Sequence, residues 1–140
     1  MRATAIDCRR LLRVPFLWHG DDPEVGLDCW GAWKVVAAEA GLALPDDHAL
    51  RFGTGDDVAS GLDALAAHFV PIGVPPEGGW RVGDLIQQDG RGRGVADHVA
   101  TIVDTAAPLA LTTSERTGTL VLRLGRLQRI VGALRVREGL

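Results

Sequence analysis

The stretch "GLDCWGAW", Gly26 to Trp33, sets a cysteine directly behind an aspartate at what reads as the first turn of a helix. The unpaired N–H groups and positive dipole end of such a turn stabilise a thiolate and draw its pKa below the free value of ~8.5. A thiolate at Cys29 needs a base or cation partner, and four histidines are available: His19, His48, His68 and His98. His48 sits in the acidic loop "PDDHAL" and reads as solvated. His68 stands beside Phe69 and reads as surface or packing. His98 opens the alternating run "HVATIVD" after a Gly-rich turn, so its side chain can stand at a sheet edge facing a helix end. Cysteine on a helix terminus with histidine on a neighbouring strand is the arrangement of a thiol hydrolase. Three other readings of Cys29 stay open on the residues alone. It is a small packing residue, or half of a disulfide with Cys8, or a metal ligand with His19 and His98. No C-x-x-C or H-x-x-x-H spacing supports the metal.

The elements that must position these groups follow from periodicity. Ala5, Cys8, Leu11 and Leu12 recur at helical spacing from Thr4 to Leu12, with Thr4 and Asp7 resembling a capping box and Pro15 ending the segment. Residues 15–26 form a loop by their Gly, Pro and Asp content. A second helix begins at Cys29, capped by Asp28, with Ala32, Trp33, Val36, Ala37 and Ala40 on one face and Gly41 as C-terminal cap. A third is expected from about Asp56 to Phe69, followed by a turn-rich connection, "PIGVPPEGGWRVGD". Strands are expected over Asp84–Gln88, His98–Val103, Leu109–Thr113 and Thr119–Leu124, with a last one from Arg129 to Val136. Helices first and an antiparallel meander after them predict an α+β fold, the helices packed on one sheet face. No repeat or boundary divides the chain, so residues 1–140 read as one domain.

Composition narrows the partners. The 140 residues are 46% hydrophobic and 24% charged, the balance of a globular protein. A net charge of -3 gives no pull towards a nucleic-acid backbone. Lys34 is the one lysine; six arginines (Arg116, Arg123, Arg126, Arg129, Arg135 and Arg137) crowd the last quarter and read as solvated strand faces. No window approaches the ~20 apolar residues that span a bilayer, and "MRATAIDCRRLL" lacks the apolar run of a signal peptide. Production in the cytoplasm without membrane insertion is the expectation.

Several motifs, in order, resemble one family. "VPFLWHGDDPEVGLDCWGAWKVVAAEAGLALP" is similar to the opening of the NlpC family of papain-like cell-wall peptidases, in the branch carried by tailed phages and related gene-transfer particles. The elements that carry it are Pro15, Phe16, Gly20, Asp28, Cys29, Gly31, Gly41 and Pro45. "RVGDLIQQ" resembles the family's Gly-Asp strand opening, "DHVATIVD" its histidine strand, and "TGTLVLRL" with "RIVGALR" its closing strands. The similarity runs from about residue 3 to residue 136.

The resemblance implies a papain-like fold and hydrolysis of an amide in peptidoglycan stem peptides, with no cofactor and no metal. It implies attack by Cys29, His98 as base and acid, and a third polar residue orienting the ring. In "ALTTSE" that third position falls on Thr112, where the family usually has His, Asn or Gln. The loop aromatic that is often Tyr is Phe16, which has no hydroxyl. Phe16, Asp28, Trp18 and Trp30 would stand on the substrate side, although Trp18 and Trp30 read equally well as packing residues. The implied setting is a phage-like tail, made in the bacterial cytoplasm and assembled with other tail-tip proteins. A second reading, motivated by Thr112 and the missing tyrosine, is a structural tail-tip or assembly module with little or no hydrolysis.

Overall fold

The computed structural model describes residues 3–45, 67–92, 94 and 96–137. Among them are one α-helix and an antiparallel sheet of six strands, an α+β arrangement. The helix, α1, spans Cys29–Glu39. Asp28 caps it from an extended backbone, its carboxylate accepting the Gly31 N–H at 2.7 Å. Gly41 closes the other end at φ 76°, a left-handed conformation that a side chain would strain. A two-stranded ribbon, β1 (Asp21–Asp22) with β2 (Gly26–Leu27), leads into α1.

The remaining strands are β3 (Phe69–Ile72), β4 (Leu85–Gln88), β5 (His98–Asp104), β6 (Leu109–Ser114), β7 (Gly118–Arg123) and β8 (Ile130–Val136). Their order is β3-β8-β4-β5-β6-β7. Strands β4 to β7 form the expected meander. Strand β8 returns across the sheet to lie between β3 and β4, which no local signal announces.

Alternation along each strand divides the side chains between two faces. Leu85, Val99, Val103 and Leu111 pack towards α1, against Trp33, Val36 and Ala37. The indole of Trp33 donates to the Gly83 carbonyl at 2.9 Å, so the largest core side chain is also satisfied as a polar group. Ile86, Ala100, Ile102 and Ala110 face the other way, covered by Trp80, Leu124, Leu127 and Ile130.

The first expected helix reads differently. Thr4–Leu12 is extended except for a 3-10 turn at Arg9–Leu11. Its backbone is claimed by the sheet edge instead: the Ile6 N–H donates to Val103 O and the Thr105 N–H to Thr4 O. Asp7 binds Arg9 rather than capping with Thr4, and that guanidinium holds its carboxyl down at about 2. Of the third helix, expected from about Asp56 to Phe69, residues 56–66 lie outside the described residues. Its last residue, Phe69, begins β3, whose pairing with β8 overrides the helical phase. No helix among the described residues is long and apolar enough to cross a membrane.

Candidate functional site

Cys29 is the first residue of α1, and only 6% of its surface is exposed. It packs with Trp30, Trp33, Phe69, Leu85, Val99 and Val136. The backbone N–H groups of Val99, Trp30 and Cys29 itself favour the thiolate. Burial opposes them and wins, with the nearby Asp28 charge adding to it, so the thiol is pushed up to about 12. This reverses the expected lowering. A helix end stabilises an anion only to the extent that its N–H groups exceed the solvation the anion has lost, and here the apolar cluster has removed nearly all of it.

Asp28 works inward. It is 2% exposed, one oxygen accepting the Gly31 N–H and the other the His19 N–H at 2.9 Å. The Asp28 N–H in turn donates to Gly20 O. Burial raises this carboxyl above its ordinary range, while those donors pull it back. The carboxylate therefore binds the 15–27 loop to the helix start and has no free oxygen facing outwards. His19 itself has φ 65°, a conformation imposed by this wrap.

On the next element, His98 opens β5 and Thr112 lies on the adjoining β6. His98 Nε2 and Thr112 Oγ1 are 2.7 Å apart. With Nε2–H donating to the hydroxyl oxygen, Nδ1 keeps the lone pair that a base requires. Burial lowers the His98 pKa, partly countered by the Asp97 carboxylate, so the ring is held neutral. His98 and Thr112 line a pocket of about 240 Å³ together with Gln88, Leu122, Arg126 and Leu127.

The structure thus brings His98 and Thr112 together and leaves Cys29 in the cluster on the α1 side of the sheet. His98 pairs with Gln88 across β4 and shares the face of Ala100, while Val99 takes the face of α1. Among the described residues no hydrogen bond joins the sulfur to the ring. What relates them is Val99, the residue after His98, which packs in the same apolar cluster as Cys29.

The aromatic candidates separate. Phe16 and Trp18 meet edge to face at 4.8 Å on the loop before α1, with Trp18 exposed, and neither lines the His98 pocket. Trp30 is a core residue, stacked on Trp33 at 4.7 Å, not a groove wall. His68 Nε2 bonds to the Ala43 carbonyl at 2.8 Å, and His48 lies outside the described residues. Both cysteines are free. Among the described residues no group of three His, Cys, Asp or Glu could hold a metal. Gln88 and Arg126 are pocket residues that the sequence does not single out; Arg126 reads as one of the solvated strand arginines but lies in the 3-10 turn Leu124–Arg126. The alternation of "LIQQ" against "HVAT" would have placed Gln88 beside His98, whereas nothing local marks Arg126. No protein-family model, no curated protein and no solved structure matches the chain.

Proposed function

We propose that the chain is a papain-like cysteine peptidase or amidase of the NlpC type, acting on peptidoglycan stem peptides from the tip of a phage-like tail. One observation carries the reading. His98 is held by Thr112 on the next strand, and the residue that follows it, Val99, packs in the cluster that contains Cys29 at the helix N-terminus. The resting groups are a neutral thiol and a neutral imidazole on opposite faces of β5, unlike the ion pair of a thiolate enzyme. Reaction then requires the imidazole to reach the sulfur around the strand end.

As the sulfur attacks the amide carbonyl carbon, its proton passes to His98 Nδ1. The carbonyl oxygen becomes an oxyanion facing the N–H groups of the helix start. The C–N bond breaks as His98 returns that proton to the leaving amine. Water, deprotonated by the same ring, then releases the acyl group and restores the thiol. Thr112 is a positioning residue, fixing which ring nitrogen is free.

Cys29→Ala tests this directly, since a methyl group fits the space of a buried thiol. The variant should keep its fold and lose release of stem-peptide fragments from purified peptidoglycan. Equal release by parent and variant overturns the reading. A second reading, a tail-tip scaffold without hydrolysis, draws on the enclosure of Cys29 in an apolar cluster. It expects no release from either protein.

A further inference from the structure

The pocket on the sheet face opposite α1 holds more than the His98–Thr112 pair requires. Its walls join three different chemistries. Leu122 and Leu127 are apolar. Arg126 and Arg129 stand at its mouth, both exposed. Arg129 Nη1 donates to the Gly90 carbonyl at 3.0 Å, while Arg126 has no hydrogen-bond or ion-pair partner among the described residues. Gln88 supplies the third: its Nε2 donates to the Gln128 carbonyl at 3.0 Å, and its buried Oε1 has no partner. A buried acceptor without a donor is uncommon in a folded protein and marks a place where a missing group belongs.

From these residues we infer that the pocket binds the carboxylate end of a short acylated peptide. The carboxylate meets the Arg126 fork, which suits a planar two-oxygen anion. The small side chain lies against Leu122 and Leu127. The amide N–H supplies the donor that the Gln88 side chain lacks. A volume of about 240 Å³ accommodates one residue with its acyl group. Phosphate fits less well, because it brings neither an apolar part nor an N–H. The Asp89 carboxylate in the same wall also opposes a dianion. The inference rests on the proposed peptide substrate only for its biological meaning; the binding itself needs no hydrolysis.

The test uses the full chain carrying Cys29→Ala, so that turnover plays no part. N-acetylalanine is titrated while the His98 ring resonances are followed, assigned by their loss in His98→Gln. Saturable shifts are expected, with affinity weakened about tenfold or more by Arg126→Gln, the loss of a charge-assisted hydrogen bond. N-acetylalanine amide, which lacks the carboxylate, should bind as weakly as N-acetylalanine binds the variant. Absence of saturable shifts, equal binding of the amide form, tighter binding of inorganic phosphate, or indifference to Arg126→Gln each overturns the inference. A peptidase that fails to cut peptidoglycan would leave these shifts intact, so the two failures are distinguishable.

Discussion

Strand β5 serves two unlike surfaces. On the α1 side, Val99 and Val103 complete an apolar interior that encloses Cys29 and leaves its sulfur protonated. On the other side, one residue away, His98 joins Thr112 at a polar pocket with arginines at its mouth. The difference teaches that a nucleophile's position along the chain does not decide its ionisation. The same helix end that would activate a half-solvated thiol is overruled when hydrophobic neighbours remove the water.

The comparison breaks first if the α1 side is not a rigid interior. Trp33→Ala removes its largest side chain and leaves the Gly83 carbonyl without its donor, which should cost about 5 kcal/mol in urea unfolding. A cost near zero would mean that this face is loosely packed.

Next in size is the thiol itself. In a Cys8→Ser background, alkylation of Cys29 by iodoacetamide at neutral pH should run about a thousandfold slower than for a thiol with the ordinary value of 9.0, given a pKa of about 12. The raised value also has a sign for stability. Its contribution is complete below pH 9.0 and is lost as pH rises towards about 12, because the unfolded thiol ionises first. Rapid alkylation of the folded protein would show that the sulfur is open to solvent.

Asp28→Ala sharpens the comparison by loosening the loop that closes the α1 side. Loss of the cap should cost about 2 kcal/mol and speed amide exchange at His19 and Gly31. Thr112→Val is the smallest change, about 1 kcal/mol on the pocket side. It should lower turnover more than it alters substrate binding, since it frees the ring. The lowered His98 pKa works in the acid direction: its stabilisation is present above the ordinary value of 6.5 and is lost as pH falls towards the folded value. Titration of the His98 ring by NMR checks this.

Much of the scaffold was legible before any coordinates. The capped helix start at Asp28–Cys29 and its glycine stop at Gly41 follow from local rules, because a cap involves neighbours within four residues. Five strand positions were legible from alternation and turns. The first helix was not. Thr4–Leu12 carries a helical phase, yet the C-terminal end of β5 bonds its backbone first. Likewise Phe69 continues an apolar period but pairs with Val136, far along the chain. The His98–Thr112 contact was legible only through family resemblance, whereas the Gln88 wall needed the β4–β5 register.

By itself, the sequence determined which groups could react and the helix and strand that carry them, since periodicity, caps and turn residues act over a few positions. Tertiary structure alone decided the face each group occupies and the solvent it retains. Both depend on strand register and on long-range burial, which is why Cys29 and His98 belong to opposite faces of the sheet and why the thiol keeps its proton.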